Sequence, residues 1–95
     1  MTEENDIISD TELDKLVKES IGYTKKIILY NDDVNSFEHV INCLMQYCKH
    51  TSIQAEQIAL IVDGNGKCDV KIGSFDELHP IYSALLDNKL SVKIE

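Results

Sequence analysis

Lys25 to Tyr30 is a short apolar, partly β-branched run that halts at Asn31-Asp32-Asp33, and a few residues later the apolar positions recur at helical spacing. A run this short, bounded by turn residues, reads as a strand. Phe37, Val40, Ile41, Leu44, Met45 and Cys48 then recur at i, i+3, i+4, i+7, i+8 and i+11, which is one apolar face of an α-helix. Asn35 is placed to cap that helix, with Glu38 completing a capping box. A strand must therefore give way to a packed helix across a loop that carries Asn31, Asp32, Asp33 and Asn35.

The pattern continues downstream. Thr51 or Ser52 caps a second helix bearing Ile53, Ala55, Ile58, Ala59, Ile61 and Val62. Gly64-Asn65-Gly66 ends it, because glycine accepts the left-handed backbone of a helix exit. Lys67 to Ile72 alternates, with Cys68, Val70 and Ile72 on one side, as a half-buried strand does. Gly73-Ser74 opens a third helix, with Glu77 in a capping box and Leu78, Ile81, Tyr82, Leu85 and Leu86 inside. Pro80 removes an amide donor and crowds a carbonyl one turn back, so this helix is expected to kink or to begin near Pro80. Asp87-Asn88 is the exit turn, and Leu90, Val92 and Ile94 alternate as a final strand. The order β-α-α-β-α-β predicts a single α+β domain, a three-stranded sheet with helices on one face.

Charge excludes several partners for such a domain. Seventeen acidic residues stand against nine basic ones, all Lys, giving a formal net charge of −8. A nucleic-acid binder needs a basic stripe to displace counterions, and an anionic membrane surface asks for the same. No apolar run approaches the roughly 20 residues of a spanning helix. Three Cys, an odd number without framework spacing, suit free thiols in a reducing compartment. The acidic first six residues lack the basic flank and apolar stretch of a signal peptide. The expectation is a cytoplasmic monomer. Residues 1–22 hold seven acids and two Lys, and they read as a flexible acidic extension ahead of a core spanning 23–95. Solvating padding and a segment engaged by a partner both fit that extension.

Candidate chemistry is sparse. Asp63-Gly64-Asn65-Gly66 fails as a calcium loop, because Ile61 and Ile72 fall where carboxylates are required, and Asn31-Asp33-Asn35 fails similarly at Ser36 and Asn42. His39, Cys43 and His50 can share a helix face but do not make a four-ligand zinc site, so no metal and no cofactor is expected. No phosphate loop, nucleophile elbow or catalytic Cys-His pairing is present in the spacing, and no enzymatic activity is expected. One cluster exceeds what a turn and a cap require: Asn31, Asp32, Asp33 and Asn35 beside an apolar helix face. A solvated turn explains it, and so does a site for a cation with a hydrophobic body.

The run Ile28-Leu29-Tyr30-Asn31-Asp32-Asp33, followed by Asn35-Ser36-Phe37-Glu38, resembles the signature of the ClpS family, adaptors of ATP-dependent Clp proteases. Gln57 to Val62, Gly66-Lys67 and the closing strand extend the likeness over about residues 23–95. The resemblance implies the family's α+β fold, itself similar to the C-terminal domain of a ribosomal stalk protein. It implies an adaptor that binds destabilising N-terminal residues (Leu, Phe, Tyr, Trp) of substrate proteins and delivers them to the N-terminal domain of a Clp AAA+ unfoldase.

By position, Asn31 and Asp32 would hydrogen-bond the substrate's α-amino group, and Asp33 and Asn35 would support that rim. Phe37 stands where the family usually has Met at the pocket mouth. Val40 and Val62 would line an apolar pocket, with Ala59 on its wall. Asp63 replaces the family's usual His, and its carboxylate can accept the same hydrogen bond. The resemblance also implies that the N-terminal extension serves substrate hand-over. Two alternatives stay open: a same-fold domain that docks on an unfoldase without amine recognition, and a metal- or small-molecule-binding regulator using His39, Cys43 and the acidic rim.

Overall fold

The computed structural model describes residues 24–95, so the acidic extension lies outside the described residues. Strand β1 (Lys25–Tyr30) is followed by helices α1 (Phe37–Tyr47) and α2 (Ser52–Asn65), strand β2 (Lys67–Gly73), helix α3 (Phe75–Asp87) and strand β3 (Val92–Ile94). The expected α+β order is therefore present. The sheet runs β2-β1-β3, with both pairings to β1 antiparallel.

The central position of β1 explains its composition. Ile27, Ile28 and Leu29 are all buried, as a strand flanked on both edges requires. Ile27 and Leu29 join a core cluster with Leu44, Cys48, Ala55, Val62, Leu78, Leu85 and Leu90, which unites all three helices with one face of the sheet. Ile28 points to the other face, where its cross-strand partners are Asp69 and Lys93.

Four local expectations are corrected. The first helix is capped by Ser36, whose hydroxyl accepts from the His39 amide at 3.0 Å. Asn35 is drawn away by Asp32 and by the Lys89 carbonyl, so the cap moves on by one residue and Glu38 makes no capping box. Second, α2 continues through Gly64 and Asn65, and Gly66 alone turns left-handed, at φ 94°. Third, the strict alternation of β2 breaks. Ile27 pairs with Lys71 but Ile28 pairs with Asp69, leaving Val70 as an extra residue in a bulge. Beyond it the faces exchange: Ile72 pairs with Lys26 and is 49% exposed, while Lys71 turns inward to donate to the Cys48 carbonyl at 3.2 Å. Fourth, α3 runs unbroken through Pro80. The amide that Pro80 lacks would have served Asp76 in the exposed first turn, where water can replace it. The expected Glu77 box on Ser74 and a Thr51–Gln54 box on α2 are both formed.

Candidate functional site

Two chain reversals meet at one end of the sheet. Leaving β1, the Asn31 amide donates to the Gly66 carbonyl at 2.8 Å, which ties the polar loop to the exit of α2. The loop is then held by Asp32. One oxygen of its carboxylate accepts from the Val34 and Asn35 amides, each at 2.9 Å. The other accepts from the Asn35 side-chain amide at 2.9 Å and the Ser91 hydroxyl at 2.8 Å. The Asn35 amide, chief among these donors, holds the Asp32 carboxyl down at about 2, against the opposing effect of burial.

Asn35 has a second task. Its side-chain nitrogen also donates to the Lys89 carbonyl at 2.9 Å, reaching the turn between α3 and β3. That turn is held on its other side by His39, whose ring nitrogen lies 2.9 Å from the Asn88 carbonyl.

Between these elements lies a cavity of about 180 Å³ lined by Leu29, Tyr30, Asn31, Asp32, Asn35, Phe37, Val40, Ala59, Val62, Asp63 and Leu90. Its walls are apolar: Val40 from α1, Ala59 and Val62 from α2, and Leu90 ahead of β3. Its rim is polar and acceptor-rich, with Asn31, Asp32 and Asn35 on one side and exposed Asp63 at the end of α2 on the other. Phe37 stands 42% exposed on the first turn of α1. A dry cavity near 150 Å³ accommodates a benzene ring, so this one has the scale of a single large side chain.

The cavity thus gathers eight of the nine residues singled out in the sequence, and Asp33 is not among those lining it. The oxygens of Asp32, expected to meet an amine directly, accept from Val34, Asn35 and Ser91. Leu29, Tyr30 and Leu90 were missed. Leu29 and Tyr30 precede the polar loop and were legible from it, whereas nothing near Leu90 in sequence marks it as a wall. The Tyr30 hydroxyl donates to Glu95 at 2.7 Å, and that carboxylate pushes the phenol pKa upward.

Of the residues weighed for a metal, His39 and Cys43 lie 3.7 Å apart, and His50 is not with them. His50 meets the Val70 carbonyl at 2.8 Å while His39 faces Asn88, and no group of three potential ligands gathers among the described residues. Burial pushes the Cys43 thiol up and the Cys48 thiol up to about 11, which keeps both protonated and unreactive at neutral pH. Among the described residues no helix is long and apolar enough to cross a membrane.

Comparison with known proteins places these features in context. Residues 23–91 match the family described as ATP-dependent Clp protease adaptor protein ClpS. Over 62 residues, 64% of this chain and 66% of the relative, the sequence is 36% identical to the ATP-dependent Clp protease adapter protein ClpS of Thermosynechococcus vestitus. Over 47 residues, 50% of this chain but 2% of the relative, it is 45% identical to the E3 ubiquitin-protein ligase ubr-1 of Caenorhabditis elegans. The chain spans less than two thirds of the length of both. Among solved structures, Agrobacterium tumefaciens ClpS2 bound to L-phenylalaninamide superposes with a TM-score of 0.71 over 77% of this chain and 95% of that one. At 19% identity, that likeness is one of fold.

Proposed function

The chain belongs to the ClpS family of ATP-dependent Clp protease adaptor proteins, and on that premise we propose that its cavity receives the N-terminal residue of a substrate protein. The observation that carries this reading is the pairing of an apolar cavity of one-side-chain volume with a rim of acceptors. A free N-terminal Leu or Phe presents an ammonium one bond from the carbon that bears its side chain. It therefore needs acceptors and a dry hole side by side.

Asn31 and Asp63 are the direct acceptors for the ammonium. Asp32 holds the loop in shape and adds negative charge beneath it, Asn35 braces the loop against Lys89, and Asp33 contributes charge from outside the cavity. Phe37 closes the mouth, and Val40, Ala59, Val62 and Leu90 receive the side chain. The captured protein is delivered to a Clp unfoldase through its N-terminal domain, by a monomeric adaptor in the cytoplasm.

The test is a fluorescence titration with peptides differing only in the first residue or in its acetylation. Tight binding of a Leu-initiated peptide with a free amine, and weak binding of its acetylated or Gly-initiated counterpart, is the expected result. Equal binding of the free and acetylated peptides would replace this reading with a domain that docks on an unfoldase without amine recognition.

A further inference from the structure

We propose that His39 is a positioning residue for the floor of the cavity, acting through the turn that joins α3 to β3. The inference rests on the function proposed above and assigns a role to a side chain that does not line the cavity. Leu90, 3% exposed, is the cavity wall supplied by this turn. Lys89 sits at φ 71° as the left-handed residue that closes α3, its amide donating to the Leu86 carbonyl at 2.9 Å and the Leu90 amide to the Leu85 carbonyl at 3.1 Å.

Three side chains from the segment Asp32 to His39, across the cavity, then hold this turn in place. His39 meets the Asn88 carbonyl at 2.9 Å, Asn35 donates to the Lys89 carbonyl at 2.9 Å, and Ser91 donates to Asp32 at 2.8 Å. Asn35 and Asp32 belong to a loop. His39 belongs to the first turn of α1, anchored through its own amide to the Ser36 cap, and it directly precedes Val40 on the opposite wall. The bond from His39 to Asn88 therefore spans from the helix carrying one wall to the turn carrying the other, and it sets the distance between them.

A carbonyl only accepts, so the ring must carry its proton on Nε2. Cys43 packs one turn below with its sulfur 3.7 Å from that nitrogen, and burial keeps its thiol neutral, so it supplies no competing charge. Cavity width follows from this bond, and cavity width decides which first residue fits best.

Two substitutions separate this role from a general structural one. His39→Leu keeps bulk and removes the donor, whereas His39→Gln keeps an N–H donor. Each is titrated, beside the unaltered chain, with peptides beginning in Leu or Phe. Loss of one hydrogen bond corresponds to about two- to tenfold in affinity. With the floor released, His39→Leu is expected to lower the ratio of Leu to Phe affinity about threefold or more, and His39→Gln to restore it.

Equal weakening of both peptides, or an unchanged ratio, overturns the assignment. A second measurement needs no variant: by NMR of the unaltered chain, the His39 Hε2 proton exchanges slowly with solvent, and fast exchange overturns the clamp. Failure of the unaltered chain to bind either peptide is a different result, which overturns the cavity reading and the assignment with it.

Discussion

The Asp32 carboxylate accepts a 2.8 Å hydrogen bond from the Ser91 hydroxyl, 59 residues further along the chain. With the Val34 and Asn35 amides and the Asn35 side chain, this bond satisfies the carboxylate entirely from within the protein. The acidic loop is therefore a tied structure as well as a charged one.

That tie has a pH signature. The Asp32 pKa is lowered from 3.8 to about 2, chiefly by the Asn35 backbone amide. A depressed carboxylate stabilises the fold above its unfolded value, and this contribution is lost as the pH falls from 3.8 toward about 2. Asp32→Asn is expected to cost roughly 1 kcal/mol at neutral pH, a figure scaled for a partly solvated charge. The gap should close near the lower of those two values. Urea denaturation across the acid range checks it, and a gap independent of pH would contradict the tie.

Amine recognition is tested by acetylation. A free α-amino group has a pKa of about 7.7–8.0 and is mostly charged at neutral pH, so binding should weaken as the pH rises through that range. Losing a charge-assisted contact at a partly desolvated rim costs about 2–5 kcal/mol, so acetylating a Leu-initiated peptide should weaken it by at least about 30-fold. Asp63→His should stay within about tenfold of the unaltered chain, because the imidazole supplies an acceptor in the same place. Isothermal titration reads both.

Phe37 lines the cavity from the exposed first turn of α1. An aromatic ring is stiffer than a thioether and reshapes less to admit branched side chains. Ile- and Val-initiated peptides should therefore bind far more weakly than Leu-initiated ones, and Phe37→Met should leave Leu binding intact. If Phe37→Ala changes the affinity of no peptide, Phe37 has no role in the cavity.

Removal of residues 1–22 should separate capture from delivery. Peptide affinity is expected to stay within about twofold, since the deletion retains every residue that lines the cavity among the described residues. Degradation of a Leu-initiated substrate by a Clp unfoldase and protease should cease. Equal degradation rates with and without the segment would exclude a role in hand-over.

Local chemistry explains which parts of this fold were legible in the sequence. The passage from β1 through the polar loop into α1 was readable because a short apolar run, a turn cluster and a helical period follow one another without interruption. Helical spacing puts Val40, Ala59 and Val62 on apolar helix faces, but their place in a cavity was implied only by the resemblance to the ClpS family. The Ser36 cap was not readable, since Asn35 and Ser36 are both good caps and the choice is made by the distant Lys89 carbonyl. The bulge at Val70 was hidden for a similar reason: one inserted residue leaves the sequence alternating while its partner strand changes register. Leu90 enters the cavity only through tertiary packing, as does the clamp on its turn.

The cavity draws on residues 29–40, 59–63 and 90, and its loop is fastened to Ser91. Contacts of such sequence separation carry a loop-closure cost that local helices do not, so they are expected to form after the helices. A chain ending before Leu90 would lack both the floor and the Ser91 tether for the acidic loop. Under the proposed function, protection of the β3 amides and peptide-binding competence should therefore appear together in pulse-labelled refolding.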